Sequence, residues 1–169
     1  PSALKAYDQE EFQSLFDKYA VFSKRELHAR YHIELEKYIK NVRIEAELMM
    51  DIAKTRILPA CFNYQAKLAR QIVDMGAIFK DSQSLISAPS AFLKDYSAKV
   101  NEMIEKIDVL DFILKEVIGI EDIEASAEAY FCKVLPAMDS LRSISDELEM
   151  QTDDELWPLP KYYEMLFYL

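Results

Sequence analysis

The sequence predicts an all-α fold: an elongated antiparallel bundle of three long helices, with a short N-terminal helix and an extended C-terminal tail. Hydrophobic residues make up 51% of the 169 residues, too many for a disordered chain. Only two glycines occur, which argues against tight-turned sheets and Gly-rich phosphate loops. Apolar residues recur in steps of three and four along most of the chain, as amphipathic helices require. We therefore predict a single helical domain over 1–169.

The first two helices are predicted over 8–19 and 23–79. Ser23 and Glu26 have the spacing of a capping box, so the second helix is expected to begin there. Pro59 predicts a kink rather than an end, because apolar residues continue at the same period beyond it. The predicted buried stripe of this long helix comprises Leu27, Tyr31, Leu35, Tyr38, Val42, Met49 and Ile52, and then Leu68, Ile72, Met75 and Phe79.

A helical hairpin is predicted over 90–118 and 121–150, with Pro89 in the opening turn of its first helix. Gly119 is expected to end that helix as its C′ residue. Pro136 predicts a second kink, within a Leu-Pro-Ala sequence that repeats the one around Pro59. The predicted buried positions are Phe92, Tyr96, Val100, Met103, Ile107, Leu110, Leu114 and Val117, and then Ile123, Ala127, Tyr130, Val134, Ala137, Leu141, Ile144 and Leu148.

The tail, residues 151–169, is apolar where a disordered terminus would be polar, so it is expected to dock. Its prolines favour an extended path, and Asp153, Asp154 and Glu155 are expected to cap the turn into it. Two alternatives remain: the tail seals the end of its own bundle, or it docks onto another domain or subunit. Its candidate interaction residues are Trp157, Pro158, Pro160, Tyr162, Met165 and Phe167.

A second candidate interaction surface lies near the start of the long helix. The hairpin helices are too short to cover all of 23–79, so the stretch from about residue 23 to 44 is predicted to project. Leu27, Tyr31 and Leu35 would then contact a missing domain or another subunit.

No catalytic or cofactor-binding residues are predicted. His28 and His32 are four residues apart on one helix, a spacing that suits a metal, but Glu36 shares their face. Ion pairing on an exposed face is the preferred interpretation, so no metal ligand is assigned. The net charge of −10 argues against nucleic acid and anionic membrane surfaces, and no apolar run is long enough to span a bilayer. Cys61 and Cys132 are predicted to be buried free thiols of a cytoplasmic protein.

Five segments carry a resemblance to type III glutamine synthetases, the large bacterial form of that enzyme. They are Ser23-Lys-Arg-Glu-Leu-His-Ala-Arg-Tyr31, Ile44-Glu-Ala-Glu-Leu-Met-Met-Asp-Ile-Ala-Lys54, Ile57-Leu-Pro-Ala60, Val134-Leu-Pro-Ala-Met138 and Asp153-Asp-Glu-Leu-Trp-Pro-Leu-Pro-Lys-Tyr-Tyr-Glu-Met-Leu-Phe167. The chain resembles the C-terminal helical domain of that family. The resemblance spans most of the chain, although the stretch from about 79 to 121 is generic helix.

The resemblance implies a parent enzyme that uses ATP and Mg²⁺ or Mn²⁺ to ligate glutamate and ammonia in cytoplasmic nitrogen metabolism. It also implies an upstream catalytic domain, absent here, and neighbouring subunits of a homo-oligomeric ring. This chain would be a non-catalytic structural and assembly domain without cofactors of its own. The alternative is a freestanding helical-bundle module that binds another protein.

Overall fold

The computed structural model describes residues 2–79, 84–160 and 162–166, and all regular secondary structure in these ranges is helical, as predicted. For Ser2, Tyr162 and Tyr163 only the backbone is described. The elements are a 3-10 helix at Ser2–Asp8, α1 at Glu10–Lys18, α2 at Lys24–Ile52, a π-helical turn at Ala53–Ile57, α3 at Leu58–Ile78, α4 at Ser84–Ile118, α5 at Ile123–Ala129, a second π-helical turn at Tyr130–Val134, α6 at Leu135–Gln151 and α7 at Tyr162–Leu166.

The contacts divide the described residues into two compact units, and the single domain predicted over 1–169 stays a prediction. Unit 1 contains the described residues of 1–48 and 110–138, and unit 2 those of 49–109 and 139–169. Every boundary falls inside α2, α4 or α6. Because no linker or change of composition marks these positions, the pattern of the sequence could not reveal the division.

The predicted capping box at the start of α2 is confirmed. The Ser23 backbone N–H donates to the Glu26 carboxylate at 2.8 Å, and the Glu26 N–H donates to Ser23 Oγ at 3.3 Å. Hydrogen bonds from Ser23 lower the pKa of Glu26. Just upstream, Ala20 has a φ of 52°, which turns the chain between α1 and α2.

Pro59 and Pro136 each follow a π-helical turn of five residues, at the positions where the sequence predicted kinks. The Leu58 N–H donates to the carbonyl of Ala53, and the Leu135 N–H to that of Tyr130, each five residues back. A proline ring collides with the carbonyl four residues before it in a regular α-helix. The wider π turn ahead of Pro59 and Pro136 relieves that collision while the helix continues.

The hairpin helices differ from their predicted limits at one end. α4 begins at Ser84 instead of near 90, and Pro89 lies inside it. Pro89 has no backbone N–H, so its position near the start of α4 removes only a single hydrogen bond. Ser87 Oγ donates to the Ser84 carbonyl in the first turn of the same helix. α4 ends before Gly119 as predicted, but without the positive φ of a left-handed C′ residue. Asp122 caps α5 by accepting from the Ala125 N–H at 2.7 Å.

The buried stripes of the hairpin follow the predicted repeat in each unit. In unit 1, α4 buries Leu110, Leu114 and Val117; in unit 2 it buries Tyr96, Val100, Met103 and Ile107. On the predicted long helix, the buried positions differ from the predicted ones towards the end of α2. Ala46, Met50 and Ala53 are buried there, whereas the predicted Met49 and Ile52 are half-buried. Beyond it, Leu68, Ile72 and Met75 are half-buried and Phe79 is exposed.

Candidate interaction surface

Unit 1 buries the apolar stripe at the start of α2, so the prediction that this stripe projects is wrong. Leu27, Tyr31 and Leu35 are 0%, 2% and 1% exposed. Tyr31 and Leu35 form a core with Ala127, and half-buried apolar residues from the 3-10 helix and from α2 and α5 pack against it. The sequence prediction failed because it did not identify the 3-10 helix and because it held the hairpin too short to cover this stretch, whereas Ala127 of α5 lies in the same core. Those packing residues are Leu4, Tyr7, Tyr38, Ile39 and Ile123.

A different face of α2 is the exposed apolar one. Ile33, Ile44 and Leu48 are 60%, 61% and 56% exposed. Separations of eleven and four residues return to nearly the same side of a helix with 3.6 residues per turn. The outward apolar strip of unit 1 is therefore formed by these three side chains.

Helix α1 buries none of its nine residues. Its apolar residues and those just after it are exposed or half-buried, although they lie at helical spacing. A shallow pocket of about 190 Å³ opens beside it, lined by Ala6, Tyr7, Phe12 and Phe16. The α1 surface consists of Phe12, Leu15, Phe16, Tyr19 and Val21.

The start of the C-terminal tail packs within unit 2. Trp157 is buried, and its backbone N–H donates to the Asp153 carbonyl at 3.1 Å. The Asp153 carboxylate accepts from the Glu155 N–H at 3.1 Å, which confirms the expected cap. It also pairs with Lys67, and this contact lowers the pKa of Asp153 and raises that of Lys67. Trp157 therefore anchors the tail to its own chain.

Beyond Trp157 the tail becomes more exposed. Pro158 is half-buried and Pro160 is exposed in a non-helical stretch that bends at Leu159, and the extended path predicted from the prolines stays a prediction. α7 follows, with Met165 and Leu166 exposed. The Tyr162 side chain and Phe167 lie outside the described residues, so their predicted contacts stay predictions. The exposed part of α7 is the portion of the tail that an external surface can reach.

The two histidines lie together on α2. His28 and His32 place their Nε2 atoms 3.1 Å apart, and the Asp8 carboxylate lies 3.7 Å from His28 Nδ1. Glu36 instead pairs with Lys40. Within the described ranges, no group of three or more His, Cys, Asp or Glu side chains is arranged to hold a metal ion.

The described residues therefore offer no cluster of His, Cys, Asp or Glu that could hold the Mg²⁺ or Mn²⁺ implied for a parent enzyme. Such sites use carboxylates that converge with the phosphates on one metal ion. None of the described helices combines the length and apolarity needed to cross a bilayer.

The two cysteines differ, although both were predicted to be buried. Cys61 is buried and Cys132 is exposed. The Cys132 thiol donates to Glu128 Oε1 at 3.4 Å, and this bond raises the thiol pKa. Burial raises the pKa of Cys61. Because the thiolate is the reactive form, both shifts reduce the reactivity of these side chains.

Comparison with known proteins gives this helical fold its class. A family model described as the glutamine synthetase C-terminal domain matches residues 1–76. The chain is 33% identical over 171 residues to a glutamine synthetase of Bacteroides fragilis (strain YCH46), and 33% identical over 170 residues to a type-3 glutamine synthetase of Dictyostelium discoideum. It is 27% identical over 169 residues to a glutamine synthetase of Butyrivibrio fibrisolvens.

These alignments cover 99% to 100% of the chain but only 23% to 24% of each relative. The chain thus spans about a quarter of the length of the relatives it matches. Residues 1–76 belong to the glutamine synthetase C-terminal domain family, and over its whole length the chain is similar to glutamine synthetases that include a type-3 enzyme, as the sequence motifs predicted. Because one relative comes from Dictyostelium, the resemblance is not confined to bacterial proteins.

Proposed function

We propose that this chain is a non-catalytic assembly domain of a type III glutamine synthetase, a cytoplasmic ligase of nitrogen metabolism. ATP-dependent ligation of glutamate and ammonia would occur on another part of the enzyme. This chain would hold that part, or a neighbouring subunit, through the α1 surface and the outward strip of α2. The relatives are about four times as long as the chain, which leaves ample polypeptide to supply the partner surface.

The observation that carries this proposal is the amphipathic helix α1, which buries no residue in the chain itself. Isolated helices of nine residues are marginal in water, and most helices in proteins are stabilised by burying an apolar face. Burial of one large apolar side chain contributes about 1.5–3 kcal/mol. Covering Leu15 and Tyr19, both at least half exposed, would therefore strengthen an interface substantially.

Matched lysine substitutions in the assembled enzyme test this interface. Leu15→Lys places a charge on the apolar face of α1, whereas Ser14→Lys adds the same charge at the neighbouring exposed position. Ile44→Lys and Glu45→Lys form a second pair on α2, because Glu45 is exposed but lies about 100° round the helix from Ile44. We expect Leu15→Lys and Ile44→Lys to shift the enzyme to smaller species in light scattering, with the controls unchanged. Assembly that is unaffected by both apolar-face variants would contradict the proposal.

The chain by itself is the test of the non-catalytic role. We expect no ATP-dependent glutamine formation from the chain alone, and binding when the remainder of the enzyme is supplied as a second polypeptide. Glutamine formation by the chain would overturn the assignment. Normal folding of both pieces without any association would instead favour the freestanding interaction module.

A further inference from the structure

The only two histidines of the chain, His28 and His32, form one structural feature on α2. They are four residues apart, so their rings project from the same side of the helix. The ring centroids are 4.5 Å apart and the planes cross at 73°. This edge-on arrangement brings the two Nε2 atoms to 3.1 Å from each other.

Asp8 and Tyr31 set the orientation and the tautomer of this pair. The Asp8 carboxylate, 3.7 Å from His28 Nδ1, favours a proton on Nδ1 and leaves the Nε2 lone pair of His28 free. The two Nε2 atoms are 3.1 Å apart, and the tautomers of the two rings determine which of them donates. The ring of Tyr31, a core residue, meets the His32 ring at 5.7 Å and limits its rotation. The pair is thus partly organised before any ligand binds.

We propose that His28 and His32 chelate a divalent transition-metal ion through their two Nε2 atoms. Zinc–imidazole bonds are about 2.0–2.1 Å long, so an Nε2 separation of 3.1 Å corresponds to an N–metal–N angle of about 98°. That angle lies between octahedral and tetrahedral values. Binding requires that both Nε2 atoms be unprotonated and that each ring turn by about 40° from the line between them, so that the two lone pairs meet at one metal ion. Asp8 then acts as the carboxylate that orients a metal-bound histidine.

The donor set selects the class of metal. Imidazole nitrogens suit Cu²⁺, Ni²⁺ and Zn²⁺, whereas Mg²⁺ and Ca²⁺ prefer oxygen ligands. Within the described ranges no third His, Cys, Asp or Glu joins this pair as a ligand. Water, or a group from another molecule, completes the coordination, so the ion remains exchangeable. Cu²⁺ stands highest in the affinity order of divalent first-row metals and is the most sensitive probe.

Titration of the full chain with Cu²⁺, followed by electron paramagnetic resonance, tests the site. We expect one equivalent to bind with the splitting pattern of two nitrogen ligands. His28→Ala and His32→Ala should each remove one nitrogen, and the double variant defines background binding elsewhere. Asp8→Asn keeps both ligands and should weaken binding by about tenfold.

A register variant provides the matched control. His32→Ala combined with Ile33→His keeps two histidines but places them five residues apart, about 140° round the helix. Ile33 is 60% exposed, so the exchange should leave the fold and its circular dichroism unchanged. Zn²⁺ should raise the Tm of the original chain and not that of the register variant. Equal Cu²⁺ affinity in the register variant, or a two-nitrogen spectrum in the double-alanine variant, would overturn the proposal.

Discussion

The two units stabilise similar helices with different core chemistry. In unit 2, a hydrogen-bonded polar group lies inside the core, formed by Tyr96 and Thr152 beside the thiol of Cys61. In unit 1, Tyr31 and Leu35 pack mainly against apolar neighbours. Both units contain a Leu-Pro-Ala sequence preceded by a π-helical turn. The two units therefore share the π-helical turn before a proline. Their cores differ, because side-chain hydrogen bonds contribute to the core of unit 2 and apolar packing dominates in unit 1.

The direction of the two hydrogen bonds at Thr152 Oγ1 in unit 2 follows from the single proton that this hydroxyl can donate. Thr152 Oγ1 donates its single proton to the Leu148 carbonyl at 2.6 Å. The Tyr96 hydroxyl, 2.7 Å away, is then the donor to Thr152 Oγ1. This pair connects α4 to Thr152, the residue that follows the end of α6 and directly precedes the Asp153–Trp157 turn. Among the described residues, each unit also contains buried polar atoms without a hydrogen-bond partner: the Tyr38 hydroxyl in unit 1, and Gln151 Oε1 and Trp157 Nε1 in unit 2.

The largest expected effect comes from unit 1. Leu35→Ala should lower the free energy of unfolding by about 2–5 kcal/mol, because it removes buried methyl groups and leaves a cavity. Hydrogen exchange should show the loss in the amides of unit 1. Ile33→Ala, on the exposed strip of the same helix, is the control and should change stability by less than about 0.5 kcal/mol. Equal acceleration in unit 2 would show that the two units unfold as one cooperative body.

The sequence predicted the features that depend on periodicity or on local hydrogen bonding. The capping box at Ser23 and the hairpin stripe from Tyr96 to Val117 follow from spacing alone. The burial of Tyr31 and Leu35 did not, because the residues that cover them come from α5 and from a 3-10 helix without a clear helical repeat. A short segment of that kind owes its conformation to the surface it covers, and a pattern search along the chain cannot detect that surface.

The histidine pair shows the same limit at a candidate site. Sequence spacing placed His28 and His32 on one helical face but left ion pairing as the preferred interpretation. The 3.1 Å separation of the Nε2 atoms depends on side-chain rotamers, and the carboxylate beside them comes from Asp8, twenty residues away from His28 along the chain. The helical period determines which face a residue occupies and leaves its ring orientation open.

Alkaline pH should destabilise both units, because burial raises the pKa of Tyr96 in unit 2 and of Tyr31 and Tyr130 in unit 1. Above about pH 10 the unfolded chain ionises these phenols while the folded chain keeps them protonated. The contribution of these tyrosines is therefore complete below pH 10 and falls above it, by up to about 1.4 kcal/mol per pH unit for each tyrosine, while the Cys61 thiol, whose pKa burial also raises, begins to lower stability near pH 9. Urea unfolding between pH 8 and 11 measures this loss.

Phenylalanine variants separate the contributions of the two units to the slope of the unfolding free energy against pH. Tyr96→Phe should reduce the alkaline loss in unit 2, and Tyr31→Phe should reduce it in unit 1. A slope that neither substitution changes would mean that other groups cause the alkaline transition.

At neutral pH, Tyr96→Phe should cost about 1 kcal/mol, the typical net contribution of one hydrogen bond. Thr152 keeps its bond to the Leu148 carbonyl, so no buried donor is left without a partner. The loss should appear as faster exchange of unit 2 amides near Thr152. Ile33→Ala again supplies the control from outside this core. A change larger than that of Leu35→Ala would mean that the polar pair contributes more to stability than apolar burial does.

The smallest expected effects are those of Pro59→Ala and Pro136→Ala. A proline in a regular helix interior costs about 3 kcal/mol, so its replacement there should stabilise the protein by a similar amount. The π turns at Ala53–Ile57 and Tyr130–Val134 already relieve the steric conflict, so little energy remains to be recovered. Alanine also increases the conformational freedom of the unfolded chain, which opposes any gain. We expect changes below about 1 kcal/mol for both variants in urea unfolding, and a gain near 3 kcal/mol in one unit alone would show that its π turn does not relieve the proline.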